Sequence, residues 1–228
     1  NHLQNYLRKI GRRKSIRLDL FLKIMDICKV KKENYLSYLK EIKSTSWHRI
    51  PLPLKFDKDF MWLSGIVASD GAITKHKTMN YYKIKIGNKD YNLLKECQKI
   101  FNKFGFYSKI LLSKRGGYTL ECGSKLLAEA MLSLGIKVGK GKSYNIEISN
   151  ILSKFPKELF IPYLEGVLEG DGNVSRNNIR IFSASKKFMI GIHNMLNRFA
   201  TYNHFRRDKA KPSKLIKKIN YKYIYCLN

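Results

Sequence analysis

Leu63–Gly71 reads LSGIVASDG and Leu164–Gly172 reads LEGVLEGDG, about a hundred residues further on. Both runs open on leucine, carry glycine at the third position and close on Asp-Gly. The apolar residues between fit a helix, and Asp-Gly fits its end. A single run of this kind would be a helix followed by a turn. Two in matched settings place Asp70 and Asp171 at the ends of equivalent helices, and helices packed side by side would bring the two carboxylates together.

The duplication extends beyond these runs. Ile100–Gly105 (IFNKFG) is echoed by Met195–Ala200 (MLNRFA), and Ile86–Asp90 (IGNKD) corresponds to Ile181–Ser185 (IFSAS). The offset between the two Asp-Gly runs exceeds that between the following strands, which predicts a longer first hairpin around Lys75–Asn80. Tyr82–Ile86 alternates polar and apolar residues, Lys109–Lys114 and Tyr118–Cys122 flank Gly116-Gly117 as a hairpin, and Ser124–Leu134 reads as a helix stopped by Gly135. The repeat order is therefore α, β, β, α, β, β, an α+β architecture in which residues 55–150 and 151–228 form two pseudo-symmetric units. A period this long marks a duplicated domain rather than a solenoid. Residues 1–50 read as a small helical module, with Ile16, Leu20, Leu22, Ile24 and Ile27 followed by Tyr35, Leu36 and Leu39 around a connection at Val30–Lys32. Ile50–Leu54 (IPLPL) breaks helix and reads as a linker. The basic opening of the module, Arg8, Lys9, Arg12, Arg13 and Lys14, suits contact with DNA, and a helical pair covering an exposed face fits the pattern equally well.

The chain carries 45 Lys+Arg against 17 Asp+Glu, a formal net charge of +28 in 228 residues. Such an excess repels itself in the folded state and suits a polyanionic partner. No apolar run approaches the roughly 20 residues needed to span a bilayer, and no signal peptide opens the chain. Cys28, Cys97, Cys122 and Cys226 form no C-x-x-C pair, so they read as reduced thiols of a cytoplasmic protein. The five histidines are scattered, and neither a P-loop nor a G-x-S-x-G nucleophile motif is present.

The paired LSGIVASDG and LEGVLEGDG, each followed by basic strands and an FNKFG-like helix end, resemble the LAGLIDADG homing endonucleases in their single-chain, two-motif form, over about residues 55–228. The sixth motif position departs from the family pattern, being Ala68 in one copy and Glu169 in the other. The resemblance implies two saddle-like antiparallel sheets beneath paired motif helices, in a monomer with internal pseudo-two-fold symmetry. It also implies a site-specific double-strand cut at a long DNA recognition site, dependent on Mg²⁺ or Mn²⁺. Asp70 and Asp171 would then be catalytic and metal-binding, the carbonyls of Ser69 and Gly170 would add ligands, and Gly65, Ser69, Gly166 and Gly170 would let the helices approach. That sparse oxygen set agrees with hard divalent ions that retain several waters and act in pairs on a phosphodiester. The run Gly135–Ser143 (GIKVGKGKS) resembles the block where the family carries a catalytic lysine, implying Lys142, with Lys140 as the substitute.

Twisted antiparallel ribbons fit the major groove and present alternate side chains to base edges. The candidate DNA-binding residues are Lys75, Lys77, Lys83, Lys85 and Arg115 in the first repeat, and Arg176, Arg180, Arg206 and Arg207 in the second. Many of these would touch phosphate, since backbone contacts outnumber base contacts. A different class of function on the same scaffold is binding without cutting, as an intron-splicing RNA maturase or a DNA-binding protein. Intron and intein origins both stay open, and intact acids at both motif ends argue for the enzyme.

Overall fold

The structure, a computed structural model, describes residues 18–31, 33–36, 39–43, 49–76, 78, 81–113, 116–139, 141–175, 178–209 and 223–227. The chain forms two compact units, Asn1–Leu54 and Lys55–Asn228. In the first, helix α1 (Leu18–Ile27) and a short helix α2 (Glu33–Leu36) precede strands β1 (Glu41–Lys43) and β2 (Arg49–Pro51). The two strands pair antiparallel, Ile42 against Ile50. The small helical module expected here thus also carries a two-stranded ribbon, and the stretch read as a linker begins inside a strand. Pro51 is tolerated there because it closes a two-stranded ribbon, where a missing donor breaks no central ladder. The basic opening of the module lies outside the described residues.

The second unit contains both repeats. The first runs α3 (Lys58–Ser69), β3 (Gly71–Lys75), β4 (Tyr82–Asn88), α4 (Tyr91–Lys103), β5 (Ser108–Leu112) and β6 (Tyr118–Gly123), followed by α5 (Lys125–Ser133) and α6 (Lys142–Asn145). The second runs α7 (Lys157–Asp171), β7 (Gly172–Ser175), β8 (Asn178–Ser183), α8 (Lys186–Arg198), β9 (Phe205–Lys209) and β10 (Tyr223–Leu227). Each repeat builds a four-stranded antiparallel sheet of the same order, β3-β4-β6-β5 and β7-β8-β10-β9. The motif glycines even share a register, Gly71 opposite Ile86 and Gly172 opposite Ile181. The first hairpin is the longer, as the offsets predict, its strands ending at Lys75 and resuming at Tyr82 where the second turns between Ser175 and Asn178.

Local chemistry sets these boundaries. Asp57 caps α3, accepting from Phe60 N–H at 2.9 Å, and Asp90, Ser124 and Ser185 cap α4, α5 and α8 in the same way. Because every second residue of β4 faces inward, Tyr82, Ile84 and Ile86 are buried while Lys83 and Lys85 face out. The core is filled by Phe60, Met61, Leu63, Ile66 and Val67 of α3, Phe160, Tyr163 and Val167 of α7, and the apolar stripes of α4 and α8. Of all element pairs in the molecule, α3 and α7 share the most extensive contact.

Candidate functional site

Two glycines determine how closely the motif helices pack. A Cβ on Gly65 would collide with the carbonyl oxygen of Tyr163, and one on Gly166 with that of Trp62, so each glycine opens its backbone to the other helix. One turn further on, Ser69 Oγ hydrogen-bonds within its own helix, to the carbonyls of Gly65 and Ile66. Gly170 leaves room for the Ser69 side chain and the Asp70 carboxyl group. All four small residues expected at the crossing lie in it, and the crossing carries both acids to one place.

Asp70 caps the C-terminus of α3, and Asp171 is the last residue of α7. Helix C-termini carry partial negative charge and favour cations, so two carboxylates there form an electronegative cleft. Burial raises both carboxyl pKa values. Asp171 goes to about 6, pushed further by the charge of Asp70 and held back by Lys142. Asp70 is raised too, against the lowering effect of a hydrogen bond from Asn88 and the charge of Lys142.

Lys142 enters this cleft from α6. Its Nζ donates to the carbonyl oxygens of Ala68 and Gly71 at 2.7 Å, Ser69 at 2.9 Å and Val67 at 3.0 Å. The ammonium closes the end of α3 with its own donors, and burial brings its pKa down to about 8 although both acids favour the charged form. The loop before it is tied to the first sheet, Gly139 N–H donating to the Ile73 carbonyl at 2.8 Å. Lys140 lies outside the described residues.

Asn88 is a member of the site that reading the sequence missed. Its Nδ2 donates to Asp70 Oδ2 at 3.1 Å, and its Oδ1 accepts from Asp90 N–H at 2.9 Å. The signal was there: Asn88 continues the inward parity of Tyr82, Ile84 and Ile86 and is the one amide in that series. Its counterpart in the second repeat, Ser183, accepts from Ser185 N–H in the equivalent turn.

The outward face of the first sheet carries Lys83 and Lys85 in register with Thr74, Ala72 and Glu121. Lys75 belongs to the opposite parity, that of Gly71 and Ile73, and its Nζ lies over the Tyr82 ring, 5.6 Å from the centroid. Lys75, expected in the first hairpin, is thus the last residue of β3 and lies on the face opposite Lys83 and Lys85. In the second sheet Arg180 aligns with Asn173, and Phe182 with Cys226, which pairs with Arg206. Arg206 and Arg180 therefore share a face, while strand alternation sends Arg207 to the other side, opposite Tyr225. Lys77, Arg115 and Arg176 lie outside the described residues.

Could these residues hold divalent metal? Among the described residues no group of three or more His, Cys, Asp and Glu side chains forms a ready cage. The donors at the crossing are oxygens only: two carboxylates, and the carbonyls of Ser69 and Gly170 at the helix ends. Lys142 engages the Ser69 carbonyl, yet such an oxygen has a second lone pair. This donor chemistry fits a hard ion that keeps waters and borrows substrate phosphate oxygens, and excludes a closed zinc site.

The LAGLIDADG-like domain family matches residues 57–135 and 161–225, more than half of the chain, and the protein belongs to this family. Among curated proteins it is similar to a probable translation initiation factor IF-2 of Methanocaldococcus jannaschii, 27% identical over 67% of this chain and 13% of that protein. It is likewise similar to the DNA-directed RNA polymerase subunit Rpo1C of the same organism, 28% identical over 68% of this chain and 17% of that one. The chain thus spans less than a fifth of the curated relatives it matches. Among solved structures it shares its fold with the homing endonuclease I-DmoI. The I-DmoI complex with DNA and Ca aligns with a TM-score of 0.55 at 19% identity, over 76% of this chain and 83% of that one. A complex of I-DmoI with DNA and Mn aligns with a TM-score of 0.56 over 90% of its chain, again at 19% identity. No helix among the described residues is long and apolar enough to cross a membrane.

Proposed function

We propose that the chain is a homing-type endonuclease that makes a metal-dependent double-strand cut at a long site in double-stranded DNA, acting as a monomer. The observation that carries this reading is the convergence of Asp70, Asp171 and Lys142 at the crossing of two duplicated helices. A binding protein has no need to gather two carboxylates at helix C-termini, where the charge of Asp70 raises the Asp171 pKa and both repel a polyanion; a phosphodiester hydrolase does.

In this reading Asp70 and Asp171, with the Ser69 and Gly170 carbonyls, hold Mg²⁺ or Mn²⁺. Bound there, the ions would activate water and stabilise charge on the attacking and leaving oxygens. Lys142 neutralises the acids before ions arrive and supplies a fixed positive charge beside the phosphate afterwards. Asn88 orients the Asp70 carboxylate. Lys83, Lys85, Arg180 and Arg206, on the outward faces of the two sheets, contact the duplex. The recurrence of similar segments inside proteins of unrelated name, each filling under a fifth of its host, favours a module carried within a host coding sequence, an intein-like setting, over a free-standing intron product.

The test is cleavage of plasmids bearing a randomised insert, with Mg²⁺ and with chelator, by the wild-type chain and by Asp70→Asn and Asp171→Asn. Linear product that requires Mg²⁺ and both acids supports the proposal. Binding without any cut, or a cut that survives both substitutions, overturns it.

A further inference from the structure

The outward face of the first sheet holds a feature that a simple phosphate-binding surface would avoid. Strand register places Glu121 of β6 between Lys85 of β4 and Lys109 of β5, with Lys83 one pleat along. Glu121 Oε1 lies 2.6 Å from Lys85 Nζ, and Oε2 lies 3.1 Å from Lys83 Nζ. The glutamate side chain is only 12% exposed, whereas Lys83 and Lys85 are 33% and 42% exposed. A scarce acid is therefore sunk at the centre of a basic face with its two lysines standing above it.

We propose that Glu121 is the specificity-determining residue of the first sheet, fixing the ammonium groups of Lys83 and Lys85 as a spaced pair of donors for guanine acceptors in the major groove. The inference rests on the reading of this face as a DNA surface. Each ammonium has three donors and spends one on Glu121, which leaves others free for the duplex. A lysine so held has already given up much of the side-chain freedom that binding would otherwise cost it. Residues two apart on a strand are about 7 Å apart, and base pairs are stacked about 3.4 Å apart along the helix. At the backbone the pair is thus spaced for guanines two base pairs apart, which the ammonium groups would read through O6 and N7. The central carboxylate repels phosphate, so it turns the pair from general backbone contact toward base edges.

Glu121 also carries little of the fold, because a partly exposed ion pair contributes at most modestly to stability. Glu121→Gln should therefore remain folded, with the lysines released. Wild-type chain and Glu121→Gln, both in chelator, would be used to enrich bound sequences from a randomised duplex library. The wild-type pool should show guanine at two positions two base pairs apart in one half-site. The variant should lose about tenfold of that preference, keep the preferences of the other half-site, and bind unrelated duplex more tightly because one negative charge is gone. Unchanged preference, equal loss in both half-sites, or a wild-type pool without the guanine pair would overturn the assignment. Because cutting plays no part, the outcome separates from that of the plasmid assay: selective binding without cleavage sinks the endonuclease and spares Glu121, and cleavage with an unaltered variant profile does the reverse.

Discussion

The two repeats agree in backbone and differ in chemistry. Motif helix, sheet order and the register of the motif glycine are the same in both. Yet among the described residues only α3 has its terminal carbonyls held by a lysine, and Asn88 reaches Asp70 where Ser183 closes a local turn. The sheets differ as well. Ile73 and Ile84 on the inner face of the first are fully buried, whereas their counterparts Val174 and Ile179 are 72% and 55% exposed. The segment after β6 accounts for this in part, since Val138 bridges to Ile73, and among the described residues no equivalent segment covers the second sheet. A duplicated scaffold thus supplies two equal carboxylates, and residues outside the duplicated core make their surroundings unequal.

The largest expected effect tests whether the acids act as one site. Asp70→Asn and Asp171→Asn should each lower cleavage by at least about 10²-fold, the scale of losing one group that stabilises developing charge, while duplex affinity persists. Asn88→Ala should slow one strand more than the other, since among the described residues only the first repeat has this contact. Strand-resolved gels would read both, and equal slowing of the two strands by Asn88→Ala would remove the functional difference between the repeats.

The second effect concerns the crossing. Gly65→Ala gains up to about 1 kcal/mol of intrinsic helix propensity, but the added Cβ meets a backbone carbonyl that no rotamer change can move. Overpacking should win, with a net loss of about 1–3 kcal/mol in chemical denaturation. Gly166→Ala should match it, because the contact is reciprocal; a mild effect from either would mean that the helices can part.

How far the sequence reveals this follows from what each feature depends on. Alternation, caps and the repeated Asp-Gly runs are local, so the αββαββ order, the longer first hairpin and the meeting of the acids were all legible. Arg206 and Arg207 do not share a face because adjacent strand residues face opposite ways, and Lys75, expected in the hairpin, is the last residue of β3, one step beyond Lys83's partner Thr74. Asn88 and Glu121 acquire their meaning only from partners far along the chain, Asp70 and the two lysines. The first unit was read as helical because its strands are three residues each, too short to show alternation.

A third comparison is made by titration in chelator. From its ordinary value of 3.8 the Asp171 pKa rises to about 6 on folding. Between those values the folded chain holds a proton that the unfolded chain has released, so stability should fall as pH rises. Lys142 drops from 10.5 to about 8, so between about pH 8 and 9 the unfolded chain binds the extra proton and stability should climb, until the buried thiols of Cys97 and Cys122, pushed from 9.0 up to about 12, hold protons that the unfolded chain releases and reverse the trend. In melting temperatures across pH, Asp171→Asn should shrink the acid limb to the part left by the raised Asp70 carboxyl group, and Lys142→Met should remove the climb between about pH 8 and 9. If either limb is unchanged by its substitution, the group assigned to it is wrong.

The smallest effect comes from the closest match between the repeats. After α4, Gly105 has φ 76°, and after α8 the equivalent Ala200 has φ 55°. Both ends make the same bonds: Gly105 N–H to Asn102 O with Phe106 N–H to Phe101 O, and Ala200 N–H to Asn197 O with Thr201 N–H to Leu196 O. This paired pattern demands a left-handed residue, which glycine supplies freely and alanine adopts at a cost of roughly 1 kcal/mol. Ala200→Gly relieves that strain but loosens the unfolded chain, and the two contributions oppose each other. Strain relief should prevail by some tenths of a kcal/mol, because the bonds already fix the left-handed geometry. The reverse change, Gly105→Ala, should destabilise by about 1 kcal/mol. A lower melting temperature for Ala200→Gly would show that the second repeat has adapted its helix end to alanine, and the equivalence of the two ends would stop at the backbone.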